Sequence, residues 1–395
     1  MHNFELSAPG AICLYGDSVI MYKMTCVGAS IGLYTRLTFK SLCSKSIERD
    51  FIEFEYSNIN LHIRIPLKTF LAYFFHENVN RNAHVTRIRD EVESFVNSLR
   101  HMYIGMYEPN NRNHLLSLRA FFFLLVLISY TSRHDIKQSF VVKVSTELAI
   151  GQGLGSSASL AVCFAACFLR WSILQKGIAI DERDMFGKSL IIEFAAICDS
   201  IIFNAQSKLK AVVSACGSVV AFNEGKVSRI YLNIPNMKIM LVFSNFGVRV
   251  PTVKEIQRNV LKHSITVSIL NIVENISKMS VQTFNMIEKK RLLLPEMGHL
   301  FLPYYEKLSE FLRMNQEILC AIYMVHPNTK LICAIAQKYL FAGKSMSINK
   351  SAFILLPPNI TDEIIIQLIS EFNSFNMIAI LTSLCCDGLR LTETI

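Results

Sequence analysis

A glycine-rich stretch at residues 151–159 reads Gly-Gln-Gly-Leu-Gly-Ser-Ser-Ala-Ser and is the part of the chain best suited to chemistry. It follows an apolar, β-branched run at residues 140–148, and the apolar residues after it recur at helical spacing. This pattern predicts a turn between a strand and a helix. Three glycines would let the backbone approach a ligand closely. The unpaired N–H groups of the first helical turn would then favour a phosphate.

The adjacent serines Ser156 and Ser157 could have different roles. Ser156 or Ser157 could cap the helix, and the other could place its hydroxyl on a phosphate or on a Mg²⁺ ion. A glycine-rich loop with a serine cap and no ligand would have the same local sequence, because short motifs of this kind often occur by chance. The local sequence leaves both interpretations open.

Composition restricts the class of protein. With 395 residues, 51% of them apolar, the chain is long enough for two domains with a sizeable core each. The longest apolar run, residues 120–128, is well short of the roughly 20 residues that a membrane span requires. It predicts a buried helix. The N-terminal residues lack the basic and apolar regions of a secretory signal, so we expect a cytoplasmic protein without a membrane span.

Charge and cysteine usage exclude further classes. The net charge of +9 comes from dispersed Lys and Arg, and no basic run is interleaved with aromatic residues. We therefore expect no nucleic-acid binding, only a modest attraction for anionic substrates. The eleven cysteines include no Cys-x-x-Cys pair, which favours free, mostly buried thiols over disulfides or zinc.

We place a weakly marked domain boundary near residues 233–235. It predicts one domain at 1–234 and another at 235–395. In the first, residues 4–15 are expected to turn at Ala8-Pro-Gly10, and residues 51–65 and 212–232 each predict a hairpin. In the second, long helices from 252 to 290 and from 304 to 323 accompany a few strands. Helices grouped against strands in this way indicate an α+β layer of ferredoxin type.

Several separated stretches resemble the GHMP kinase family in the same order along the chain. They are Ala8-Pro-Gly10 through Gly16-Asp17, the stretch from Glu147 to Ala158, and Val213-Ser-Ala-Cys-Gly217. Within that family, Met314-Asn-Gln316, His326-Pro327 and Thr252 are similar to positions of the mevalonate kinases. The resemblance extends over nearly the whole chain.

The resemblance implies an α+β, two-domain GHMP kinase-like fold, with a ribosomal-S5-like N-terminal domain that binds nucleotide and a ferredoxin-like C-terminal domain. It implies that ATP, Mg²⁺ and mevalonate bind in the cleft between them. The implied reaction transfers the γ-phosphoryl group to the terminal hydroxyl of mevalonate, a step in isoprenoid precursor synthesis. The resemblance also implies a homodimer.

The resemblance assigns roles to individual residues. Ser157 and Asp199 fall on the Mg²⁺ ligands, although Asp199 is shorter than the glutamate usual there. Asp17 falls on the glutamate of a Gly-Glu-His motif whose histidine is Ser18 here, and Thr252 falls near the reacting groups. The phosphate-binding loop comprises Gly151, Gly153, Leu154, Gly155, Ser156, Ser157 and Ala158.

Three departures from the family pattern bear on the chemistry. Ala11 stands where the family has a lysine, and Lys210 stands where it has the aspartate that serves as catalytic base. The C-terminal glycine-rich loop, expected at residues 343–350, keeps one glycine. A general base contributes roughly 10²–10⁴ in rate, whereas phosphoryl transfer depends mainly on positioning and charge.

Three hypotheses remain open at the level of sequence. The chain is an ATP-dependent mevalonate kinase with altered catalytic groups, a relative without catalytic activity that binds nucleotide or a protein partner, or a GHMP kinase acting on another small alcohol. Lys210 could stabilise a developing negative charge or could simply lie on the surface. His326, which precedes a proline, is expected to be a turn residue and not a catalyst.

Overall fold

The structure, a computed structural model, describes every residue except 1, 18, 20–21, 43–49, 78–80, 100–102, 134, 178–184, 236, 245–264, 294–300, 322–324, 347–350 and 394–395. Within the described residues the strands are β1 (Asn3–Tyr15), β2 (Cys26–Ser41), β3 (Phe51–Tyr56), β4 (Leu61–Pro66), β5 (Ile104–Met106), β6 (Phe140–Thr146), β7 (Val219–Asn223), β8 (Lys226–Tyr231), β9 (Met237–Ser244), β10 (Ala342–Ser345), β11 (Ser351–Leu355), β12 (Met377–Leu384) and β13 (Arg390–Glu393). The helices are α1 (Leu67–Phe74), α2 (Val85–Ser98), α3 (Arg112–Thr131), α4 (Ser156–Gln175), α5 (Met185–Phe203), α6 (Leu209–Cys216), α7 (Ile265–Leu293), α8 (Leu302–Ala321), α9 (Pro327–Lys338) and α10 (Asp362–Ser374).

These strands form one mixed sheet in the order β10-β11-β9-β12-β2-β6-β3-β4-β5. Off this path, β1 pairs with β2 and β13, and β7 pairs with β2 and β8. The pairing is antiparallel except between β3 and β6. Of the strands from the C-terminal part of the chain, β9 to β12 join the others through one described residue pair, Leu384 with Ile31, whereas β13 pairs with β1. The predicted hairpin at 51–65 is confirmed as β3 and β4.

The cores lie where helices cover both faces of the sheet. Alternate residues of β9 face different apolar clusters: Leu241 packs in one cluster with Phe311 of α8, and Val242 packs in another with Ile335 of α9 and Leu368 of α10. A strand that is covered on both faces is expected to read as a continuous apolar run, as β9 does. The boundary at residue 234, just before β9, stays a prediction.

Helices α3 and α4 form the centre of the N-terminal core. The apolar run at residues 120–128 lies within α3 and is buried throughout, which confirms the predicted core helix. By length and composition α3 and α4 could each cross a membrane, but 78% and 72% of their apolar windows are buried inside the protein. Burial of this extent is usual for core helices, so the two helices are weak evidence for a membrane span.

Two local predictions were wrong. The strand β1 continues through Ala8-Pro-Gly10 without turning, because a shift in register between Pro9 and Gly10 accommodates the residue that lacks an N–H. Residues 212–216, predicted as strand, belong to α6, which ends at Gly217 with a positive φ of 78°. The other part of that hairpin, β7 with β8, is confirmed.

The helix predicted from 252 corresponds in its described part to α7, and residues 252–264 lie outside the described residues. The segment that the family resemblance marks as a second glycine loop begins with the strand β10. Its residues Ala342–Ser345 pair antiparallel with β11, and residues 347–350 lie outside the described residues. The single remaining glycine, Gly343, is part of the strand.

Candidate functional site

The loop at residues 151–155 joins the strand β6 to the helix α4 and has the conformation that its glycines allow. Gly151, Gly153 and Gly155 have φ values of 78°, 85° and 74°, in the left-handed region that other residues rarely adopt. Gly155 occupies the N-cap position of α4 without a side-chain hydrogen bond, so neither Ser156 nor Ser157 caps the helix. The predicted turn is confirmed, and the N-terminus of α4 has the amide geometry that favours an anion.

The loop packs tightly on β1. The Ala11 N–H donates to the Leu154 carbonyl at 2.8 Å. A Cβ atom on Gly155 would lie 2.9 Å from the Ala11 carbonyl oxygen and 3.0 Å from its nitrogen. The Ala11 side chain is fully buried in an apolar cluster with Leu209 and Val213 of α6. The position where the family has a lysine is therefore an apolar contact between β1 and α6.

Lys210, on α6, reaches this loop and is not a freely solvated surface residue. Its Nζ donates to the Gly153 carbonyl at 2.8 Å. Burial lowers the pKa of Lys210, while the nearby Cys13, Asp199 and Asp17 act in the opposite direction. The Lys210 ammonium therefore stabilises the conformation of the loop through this hydrogen bond. An ammonium that donates to a carbonyl has no capacity to take a proton from a substrate, so it does not replace the aspartate as a base.

Asp199, on α5, lies at the N-terminus of α4 and is only 2% exposed. Burial raises the pKa of Asp199, opposed by a hydrogen bond from Ser157 and by the charge of Lys210. Its Oδ1 has no hydrogen-bond partner among the described residues. A buried carboxylate with an unpaired oxygen beside a serine hydroxyl fits a hard divalent cation. No group of three or more His, Cys, Asp or Glu side chains that could hold a metal occurs in the part of the chain that the structure describes.

Asp17 pairs with a residue that sequence reasoning missed. The Lys344 Nζ, on β10, lies 2.9 Å from Asp17 Oδ1 and 3.4 Å from the Cys13 carbonyl oxygen. The Lys344 side chain is fully buried and that of Asp17 is 18% exposed. The two residues are 327 positions apart in sequence, so no local pattern connects them. The available signal was a lysine inside a short strand whose other residues are all small.

The Cys13 thiol lies near the charges of Asp17, Lys344 and Lys210. Burial and the Asp17 carboxylate raise the pKa of Cys13 to about 12, while Lys344 and Lys210 act to lower it. Both lysines therefore lie near the same segment of β1, next to the glycine loop. Among the residues that the family resemblance assigns to the site, the structure brings together the loop, Ser157, Asp199, Asp17 and Lys210, and it places Lys344 beside them.

The remaining predicted site residues have other positions. Thr252 and Ser18 lie outside the described residues. His326 caps α9, where its Nδ1 accepts from the Asn328 N–H at 3.0 Å, so it is a turn residue as expected. Gln316 supports the site indirectly, because its Oε1 accepts from the Ser345 N–H of β10 at 2.9 Å.

The chain is similar to characterised kinases over most of its length. It is 23% identical over 343 residues to the mevalonate kinase of Arabidopsis thaliana, covering 85% of this chain and 86% of the relative. It is 22% identical over 416 residues to the mevalonate kinase of Candida albicans, covering 98% and 89%. No family model matches the chain.

Solved structures have the same fold at lower sequence identity. The mevalonate kinase of Methanococcus jannaschii superposes with a TM-score of 0.66 at 14% identity, covering 97% of this chain and 98% of that one. The mevalonate kinase of L. major in complex with R-mevalonate has a TM-score of 0.60 at 11% identity, covering 97% and 96%. The galactokinase of Lactococcus lactis complexed with galactose has a TM-score of 0.63 at 11% identity, covering 99% and 95%. The predicted α+β fold of GHMP kinase type is confirmed.

Proposed function

We propose that the chain, a divergent member of the GHMP kinase family, binds ATP and transfers its γ-phosphoryl group to the hydroxyl of a small alcohol, with mevalonate as the first candidate. The observation that carries the proposal is the loop at residues 151–155. It combines three left-handed glycines, the N-terminus of α4 and the Lys210 ammonium on the Gly153 carbonyl. Amides and a cation arranged in this way suit the polyphosphate of a nucleotide.

Each residue of the site then has a physical task. The loop amides of residues 151–158 bind and orient the phosphates. Mg²⁺, when bound, would neutralise charge on the β- and γ-phosphates, and Asp199 and Ser157 are the residues that would hold it. Lys210 contributes positive charge next to the loop. Asp17 offers the acceptor alcohol a carboxylate, and Thr252 is assigned to the reacting groups by resemblance alone.

The missing base affects the expected rate. With Lys210 in the place of an aspartate, the site lacks a contribution of roughly 10²–10⁴. Positioning and charge neutralisation remain, and they are the larger part of catalysis for phosphoryl transfer. We therefore propose slow but measurable turnover.

A second candidate function is nucleotide binding without catalysis on the same fold. Two observations favour it: Ala11 packs in an apolar cluster, and the Lys210 ammonium is engaged with the loop. Under this proposal the chain is a pseudokinase that binds nucleotide or a protein partner. Homodimer formation and a cytoplasmic location remain predictions of the family resemblance.

The experiment combines a binding measurement with a product assay. Purified protein is incubated with ATP, Mg²⁺ and R-mevalonate, galactose or other small alcohols, and the phosphorylated product is detected by mass spectrometry, with Ser157→Ala as the control. The proposal expects phosphomevalonate above the control level, and product from another alcohol would redirect the substrate assignment. A thermal shift with ATP but no product from any alcohol would favour the pseudokinase. Ligand at about 100 times its Kd should add about 2.7 kcal/mol of stability.

A further inference from the structure

Lys344 is a buried charge that no role in the proposed reaction accounts for. Its side chain is fully buried, and its Nζ is held by the Asp17 carboxylate at 2.9 Å and the Cys13 carbonyl at 3.4 Å. A lysine is rarely buried unless it is paired, because removing an ammonium from water costs several kcal/mol. Other cation–carboxylate pairs of the described chain, such as Lys338 with Glu371, are more exposed.

The place of this pair in the fold connects it with the phosphate loop. Asp17 follows β1, the strand whose Ala11 N–H donates to the loop carbonyl of Leu154. Asp17 and Lys344 both act electrostatically on Lys210, whose Nζ donates to Gly153. Without Lys344, the Asp17 carboxylate would present an uncompensated negative charge beside the site where a polyphosphate is expected.

The environment of position 11 is apolar and contrasts with that of Lys344. The Ala11 side chain is enclosed by Leu209 and Val213 of α6, and it leaves no charge on this part of β1. The Lys344 ammonium reaches β1 two residues further on, at the Cys13 carbonyl, from a different strand. Gln316 fixes the neighbouring Ser345 N–H, so the lysine projects from a backbone that is itself held in place.

We propose that Lys344 is a positioning residue of the nucleotide site: its ammonium neutralises and orients the Asp17 carboxylate so that the polyphosphate of ATP can bind beside it. The inference rests on the proposed function, since it takes ATP as the ligand. Lys344 acts through Asp17, because its own side chain is fully buried whereas that of Asp17 is partly exposed.

The test is a cycle of three variants with nucleotide binding as the readout. The Kd of ATP, of inorganic tripolyphosphate and of adenosine is measured by calorimetry for the unaltered chain, Lys344→Met, Asp17→Asn and the double variant. Lys344→Met is expected to weaken ATP and tripolyphosphate binding by about tenfold, the effect of one uncompensated charge at close range. Adenosine binding should stay within about twofold, because it carries no phosphate.

The double variant separates positioning from simple structural support. When both charges are removed, ATP binding should return to within about twofold of the unaltered chain, since the Asp17 charge no longer repels phosphate. Lys338→Met, which removes another lysine paired with a carboxylate in the C-terminal half, should leave all three Kd values unchanged. Thermal unfolding of each variant checks that it is folded.

The outcomes distinguish this inference from the proposed function. If the unaltered chain binds ATP but Lys344→Met binds it equally well, the inference is wrong and the proposed function stands. If the double variant is as weak as Lys344→Met, or if adenosine binding falls in parallel with ATP, Lys344 supports the fold and does not position Asp17. If the unaltered chain binds neither ATP nor tripolyphosphate, both proposals fail.

Discussion

Two segments of this protein stand where the GHMP kinase resemblance implies glycine-rich loops, and they are built differently. The loop at residues 151–155 keeps three glycines with positive φ, and its Gly153 and Leu154 carbonyls accept hydrogen bonds from Lys210 and Ala11. The segment Ala342–Ser345 is instead the strand β10, whose backbone groups are used in pairing with β11. Its contribution to the site is the Lys344 side chain. Our proposal for Lys344 implies that a buried charge takes the place of backbone amides where the glycines are lost.

The largest expected effect comes from adding a side chain where the loop meets β1. In Gly155→Ala the new Cβ would lie 2.9 Å from the Ala11 carbonyl oxygen at a φ of 74°. We expect a loss of about 2–4 kcal/mol in the free energy of unfolding, from left-handed strain and the displaced backbone. ATP affinity should fall at least tenfold, on the order of the loss of a preorganised phosphate contact. Thermal unfolding and calorimetry measure the two.

Gly151→Ala is the matched control for that variant. Gly151 has a similar φ of 78°, but a Cβ there would have nothing within 4 Å. It should cost only about 1 kcal/mol, the penalty of the left-handed conformation. Equal effects of the two substitutions would show that strain alone, and not the contact with β1, makes the loop sensitive.

The next largest effect tests whether the loop depends on a lysine, as we propose for the part of the site that β10 contributes. Lys210→Met removes the donor at 2.8 Å from the Gly153 carbonyl and the positive charge beside the loop. We expect ATP affinity to fall by about tenfold. The free energy of unfolding should change by less than this tenfold effect on binding, because a partly buried ammonium is removed together with its hydrogen bond. Lys208→Met, an exposed lysine of the same segment, is the control, and an equal loss from both would indicate a general charge effect.

The sequence predicted the parts of the site that depend on local pattern. Glycines between a strand and a buried helix led directly to the loop, and the apolar run at residues 120–128 led to α3. The residues 212–216 were misread because the β-branched Val212 and Val213 favour strands in isolation. Packing of α6 against β1 overrides that preference here.

Lys344 could not be predicted for a different reason. Its partner is 327 residues away, and the pairing depends on how β10 of the C-terminal half lies beside β1. No periodicity or motif in the sequence encodes that distance. The absence of a lysine at position 11 was readable from the sequence, whereas the contact of the Lys344 ammonium with β1 required the structure.

A medium effect, on the free energy of unfolding, is expected from Asp199, the buried carboxylate beside the N-terminus of α4. Burial raises the pKa of Asp199 above its unfolded value of about 3.9. The native state then binds more protons than the unfolded state, so this group lowers the free energy of unfolding as the pH rises from about 4 through the raised pKa. Asp199→Asn should therefore be about 1 kcal/mol more stable at pH 7 without divalent ions, with a flatter pH dependence.

Measurements with and without Mg²⁺ test whether Asp199 is a metal ligand. If Asp199 and Ser157 hold the ion, MgCl₂ with ATP should stabilise the unaltered chain more than ATP alone, and this increment should vanish in Asp199→Asn. Asp199→Ser is a useful second variant, because it removes the charge and leaves a small hydroxyl at the same position. An increment that survives both substitutions would place the metal elsewhere.

The smallest effect is expected on the other side of the comparison, in β10. Gly343 has no positive φ, and a Cβ there would lie 3.2 Å from the Cys333 Sγ and 3.3 Å from its Cα. Gly343→Ala therefore requires α9 to shift by a few tenths of an ångström, offset by a gain of about 0.4–1 kcal/mol from the restricted unfolded chain. Stability should change by less than about 1 kcal/mol, and ATP affinity by less than about twofold if β10 contributes only the Lys344 side chain. A large loss of ATP affinity in this variant, without a loss of stability, would mean that the β10 backbone contacts the nucleotide, and that the two glycine segments are more alike than their conformations indicate.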